Sequence, residues 1–158
     1  MLTVKNPSNL RTGAKVEELL HFALDARLVN DVTVVLLERD NTLDRLAPGD
    51  YELQAILYQY QMPHTYALIV RSNPCESIEY IVFHECIHLM QYESGRLEVN
   101  IRSGKCTWEG KEFAASFPYM DRPWEKEAFK DQTALMKDWR ALQKSVKKVR
   151  KCLFKKKK

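Results

Sequence analysis

The segment Ile81–Met90, "IVFHECIHLM", is almost entirely apolar, yet two histidines and a glutamate interrupt it. A run this greasy belongs in a core, where an unpaired carboxylate either carries a large desolvation penalty or neutralises. Any fold open to this chain must therefore set compensating charge or hydrogen-bonding groups against His84, Glu85 and His88. The flanks say what element carries them. In "SNPCESIEY", Asn73 can cap a helix, Pro74 suits a first helical position, and Glu76 completes a box-like pattern with Asn73. Gly95 is a helix stop. The expectation is a buried helix ending near Tyr92.

The remaining elements follow from periodicity. Residues 15–29 place Val16, Leu19, Leu20, Ala23 and Leu28 at roughly helical spacing. "VTVVLLE" (32–38) is β-branched and apolar, a buried strand. "NTLDRLAPGD" is a loop by its Asn, Asp, Pro and Gly. Residues 51–61 and 64–71 are aromatic and β-prone, with "MP" between them, and predict a hairpin. Two Gly turns, "SGK" and "EGK", break 96–114 into a small meander. A last helix begins near Trp124 behind Pro123. Ala128, Leu135, Trp139, Leu142, Val146, Val149 and Leu153 form its apolar stripe, opposite lysines. The fold class is α+β. At 158 residues the chain is long enough for one domain, expected over 1–150, with a basic, disordered tail at 151–158.

Charge is unevenly spread. Residues 137–158 hold eleven Lys/Arg against one acid, Asp138, while residues 1–136 hold fourteen bases against twenty acids. The tail either attracts nucleic acid or another polyanion, or is a solubilising frayed end. No basic start leads into an apolar run, and the longest apolar runs fall far short of the ~20 residues of a membrane span. The four cysteines (75, 86, 106 and 152) show no CxxC and read as reduced thiols of an intracellular protein.

His84, Glu85 and His88 spell H-E-x-x-H. On a helix, His84 and His88 fall ~40° apart and one turn along, so both imidazoles can reach one zinc ion while Glu85 sits at the edge of that sector. The cation compensates the nearby carboxylate, and the surrounding apolar side chains strengthen its field. A catalytic zinc wants a third protein ligand and an open position. "RPWEKEAFKD" offers Glu127 as the ligand and Asp131 as a residue orienting a ligating histidine. The alternative is that Glu125, Glu127 and Asp131 are ordinary acids at a helix start, favoured by its dipole.

H-E-x-x-H followed at a distance by E-A-x-x-D resembles the gluzincin branch of the zincin metallopeptidases. The matching residues are "HECIH" (84–88) and "EAFKD" (127–131). The order of elements over 15–92 is similar to a minimal zincin core. The run "WEGKEF" to "RPWEKEA" (108–128) resembles small H-E-x-x-H proteins of phages and bacteria, which would allow a virion-associated setting. The resemblance implies zinc held by His84, His88 and Glu127, with Glu85 as general base and Asp131 supporting His84. Tyr119 is the best candidate to donate to the oxyanion, with His64 behind it. The strand 64–71 would be the edge strand that binds an extended peptide. The function so implied is hydrolysis of peptide bonds in extended protein segments. The competing function is a nucleic-acid-associated binding protein with a structural or vestigial zinc site and a basic tail.

Overall fold

The computed structural model describes residues 1–7, 12–38, 43, 53–60, 62–71, 75–100 and 103–155, with side chains through Lys151. The chain is α+β, as the periodicities require. Four strands, β1 (Leu2–Lys5), β2 (Val32–Glu38), β3 (Ala55–Gln59) and β4 (Thr65–Val70), form a sheet in the order β1-β2-β4-β3. β1, β2 and β4 are parallel, and β3 returns antiparallel to β4 at the edge. The polar opening of the chain gave no sign of β1, whose four residues rely on β2 for pairing.

Period-two alternation sorts the sheet into two faces. Val32, Val34 and Leu36, with Tyr66, Leu68 and Val70, enter the main core. There they meet α1 (Gly13–Leu24), α2 (Ile78–Glu93) and the first half of α3 (Pro123–Lys155). Ala67 and Ile69 face the other way and pack with Leu43. Leu43 apart, the loop 41–50 lies outside the described residues. β4 is interior. The expectation that strand 64–71 forms the edge is corrected: β2 pairs with one side of β4 and β3 with the other, which leaves β3 as the edge strand at that end of the sheet.

α2 starts later than its flanking sequence suggested. Ser77 is the N-cap, accepting from the Tyr80 amide at 3.3 Å, and Asn73 and Pro74 lie outside the described residues. The stop at Gly95 is as expected. Its φ of 67° lets the Gly95 amide bond the Tyr92 carbonyl and the Arg96 amide bond that of Gln91.

The meander is β5 (Leu97–Asn100), β6 (Lys105–Trp108) and β7 (Lys111–Phe113), all antiparallel. Its own small core holds Leu97, Trp108 and Trp124. Phe113 lies edge-on to Trp124, with ring centres 5.3 Å apart. The meander thereby grips the first turn of α3 and sets the rotation of that helix against α2. Further along, Trp139 packs on Phe22 and Phe83 at 5.0 and 6.4 Å.

α3 continues through Lys155, so residues 151–155 are helical rather than the disordered tail expected there. Lysine is a good helix former, and an established helix extends at little cost per residue. Residues 156–158 lie outside the described residues. Among the described residues, no helix is long and apolar enough to cross a membrane, and Cys75, Cys86 and Cys106 are free.

Candidate metal centre

α2 is apolar on nearly every side, and Ile81, Val82, Phe83, Cys86, Ile87 and Leu89 hold it in the core. Its polar residues His84, His88 and Gln91 therefore look into the seam with α3. On α3 the buried positions are Trp124, Glu125, Ala128, Gln132, Leu135, Met136 and Trp139, a stripe of three- and four-residue steps. Two of these, Glu125 and Gln132, are polar, and both face the histidines.

Three ligand-type atoms converge in the seam. Nε2 of His84 and Nε2 of His88 are 3.0 Å apart, and each lies 3.2 Å from Oε2 of Glu125. Ligands at 2.0–2.1 Å around a tetrahedral zinc stand about 3.3 Å from one another, so the triangle is close to the size such an ion requires. The outward ring nitrogens are held as well. Nδ1 of His84 is 2.9 Å from Oε1 of Gln132, and Nδ1 of His88 is 2.8 Å from Oε1 of Gln91. Gln91 donates through Nε2 to the Trp124 carbonyl at 3.0 Å and to Glu127 at 3.3 Å. Its Oε1 is thus the atom presented to His88, whose Nδ1 carries the proton and whose Nε2 lone pair points inward. Gln132, placed the same way against His84, leaves its Nε2 as the buried side-chain polar atom without a partner among the described residues.

Three inward lone pairs this close repel unless positive charge lies among them. A metal cation supplies it, and so does a proton. Burial opposes charging His88, but the hydrogen bond and charge of Glu125, with Glu85 beyond, raise its pKa to about 9. Burial likewise pushes Glu125 upward, and the two imidazoles outweigh it and hold the carboxyl far below its usual range. His84, His88 and Glu125 form the cluster that could hold a metal ion.

Glu85 borders this cluster. It is buried, burial raises its pKa, and both histidines oppose that rise. The backbone of Leu57, on β3, lies close enough to the carboxylate to favour its charged form as well. Tyr119 belongs to a single 3-10 turn, Tyr119–Asp121. The residue is 46% exposed, while its hydroxyl end lies toward Glu125, and partial burial of that end together with the carboxylate raises its pKa above that of an ordinary phenol.

The structure therefore brings together His84, His88, Glu85 and Tyr119 as the sequence suggested, and it replaces two residues. Glu127 does not join the histidines. It lies about 160° around α3 from Glu125 and chelates the Arg96 guanidinium at 2.9 and 2.6 Å. Asp131 is one turn further along that outer face, where it lines a cavity of about 340 Å³ with Arg27, Asn30, Glu93 and Arg96. Gln132, next in sequence, holds His84 instead. His64 is also elsewhere, bonded to Glu93 at 2.8 Å, while His21 pairs with Asp25 on α1 at 3.0 Å. Glu125, Gln132 and Gln91 are the residues that sequence reasoning passed over. A signal for the first two existed: on the stripe through Ala128 and Leu135, three residues back from Ala128 lands on Glu125 and four forward lands on Gln132. No family model matches the chain, and no curated protein or solved structure shows significant similarity to it.

Proposed function

We propose that this chain is a small zinc-dependent peptidase of zincin type whose metal ligands are His84, His88 and Glu125. The carrying observation is the convergence of two imidazole nitrogens and one carboxylate oxygen at 3.0–3.2 Å, with buried Glu85 beside them. Two histidines and a glutamate are a known catalytic zinc set, whereas a structural zinc is closed by four protein ligands. Among the described residues the cluster supplies three, which favours catalysis over a structural site. The parallel strands, antiparallel edge strand and H-E-x-x-H helix support the zincin likeness. The E-x-x-x-D match at 127–131 does not, since Glu127 faces Arg96.

A bound zinc ion supplies Lewis acidity toward water and a peptide carbonyl. The chain's own residues do the rest. Glu85 takes the proton from the attacking water and delivers it to the leaving amide nitrogen, so the C–N bond breaks to a carboxylate and an amine. The Tyr119 hydroxyl donates to the oxyanion. An extended substrate pairs with the free edge of β3, whose Leu57 lies beside Glu85.

Purified protein is expected to contain one zinc and to cleave a fluorescein-labelled unfolded protein. Phenanthroline should abolish that cleavage and stoichiometric zinc should restore it. A metal-replete preparation that leaves several unfolded proteins intact overturns the peptidase reading.

Gln91 and Gln132 provide a second measurement. Replacing either by Leu removes the acceptor that orients a ligand, and zinc affinity should fall about 10–100-fold in competition with a chromophoric chelator. Their stabilities should separate. Each change leaves a histidine Nδ1–H without its acceptor, at a cost of about 1–3 kcal/mol, and Gln91→Leu also loses the bonds from its Nε2 to the Trp124 carbonyl and Glu127. Gln132→Leu gives up no bond from its Nε2, which is already unpartnered among the described residues, and should therefore destabilise the metal-free protein less than Gln91→Leu. Unchanged zinc affinity in both variants counts against the site.

A further inference from the structure

We infer that the exposed face of α3 binds double-stranded nucleic acid along a straight row of cations. Lys130, Lys137, Arg140, Lys144, Lys148 and Lys151 recur at steps of seven, three, four, four and three, and all are exposed. At 100° and 1.5 Å per residue these steps fall within an arc of about 80° and run for about 32 Å. The helix's acids, Glu125, Glu127, Asp131 and Asp138, all stand about 100° or more from the middle of that arc. After Asp138 the helix has no acid at all. Among the described residues none of the cations from Lys137 to Lys151 is paired with a carboxylate.

A single-signed row this long on one rigid rod matches a rigid polyanion. Duplex nucleic acid carries one negative charge per ~1.7 Å of axis, so the row spans about 19 phosphates. Shape agrees with charge. The buried positions of α3 end at Trp139, and the described side chains from Arg140 to Lys151 are exposed or half-buried. This half of the helix stands clear of the body, and its diameter of ~10–12 Å suits a major groove ~12 Å wide.

A membrane surface explains the arrangement less well. An interfacial helix needs a broad apolar face to insert, and the stripe of Leu142, Val146 and Val149, continued in sequence by Leu153, is narrow beside the cations. The cationic row, by contrast, continues back to Lys130, where the opposite face of α3 is already buried against α2. The inference is independent of the metal centre.

The test is fluorescence anisotropy with a 24-base-pair duplex over 50–300 mM salt. Wild-type protein should bind with a log–log salt slope of about −5, for six phosphate contacts. Replacing Lys137, Lys144, Lys148 and Lys151 together by Ala should reduce the slope's magnitude by about 3–4 and weaken binding at least a hundredfold at 100 mM salt. Alanine favours helix and these sites are exposed, so the variant should fold with an unchanged circular dichroism spectrum. Lys105→Ala with Lys111→Ala, on the meander, should leave the slope as in wild type. A wild-type slope weaker than about −1, or an unchanged slope in the quadruple variant, overturns the inference. So does tighter binding to the single strand, or binding to phosphatidylserine vesicles without binding to duplex.

Discussion

Glu125→Ala is expected to lower zinc affinity at least a hundredfold, more than an orienting side chain usually contributes. Glu127→Ala should leave stoichiometric zinc in place. Oε2 of Glu125 is the atom 3.2 Å from both imidazoles, and its loss leaves two neutral ligands and no anionic one. Glu127 touches the centre only through Gln91. Removing it takes away one of the two carboxylates on Arg96, which keeps Glu109, and one of two acceptors of the Gln91 amide, while the Trp124 carbonyl still holds that amide in orientation. The expected cost is a few-fold in affinity and within about 1 kcal/mol of stability, as for other partly exposed ion pairs. Metal analysis after dialysis against a weak chelator separates the two variants. Retention of zinc by Glu125→Ala, with its loss from Glu127→Ala, would return the third ligand to the E-x-x-x-D position.

Glu85→Gln should keep zinc within a few-fold of wild type yet cut kcat/KM by about 10²–10⁴, the usual contribution of a general base. The amide has the shape of the carboxylate, so neither the position of α2 nor the ligand triangle need change. What it loses is the capacity to take a proton from water. The substitution also relieves the desolvation that raises the Glu85 pKa, so the metal-free variant should be at least as stable as wild type. An active Glu85→Gln enzyme with full zinc would remove Glu85 from the mechanism while leaving the metal site standing.

Most of the secondary structure was readable because it follows local rules. β2 occupies 32–38 as its β-branched run implied, the β3–β4 hairpin follows its turn, and α3 opens on Pro123. β1 escaped notice because a four-residue strand has too little pattern to declare itself. The position of β3 at the edge, outside β4, was equally hidden. A hairpin states which strands are neighbours, and the wider sheet decides which of the two is covered.

The candidate site divides along the same line. His84, Glu85 and His88 were legible because one helix carries all three, and helical geometry alone puts both imidazoles on one face. The third carboxylate was not, because Glu125 and Glu127 are both acids near the start of one helix. Their difference is rotation about its axis, which the meander imposes by gripping Trp124. Local sequence determined that two histidines would share a helix face inside a core. Only the packing of α3 against α2 determined which glutamate meets them, since a turn of about 160° separates joining the histidines from pairing with Arg96.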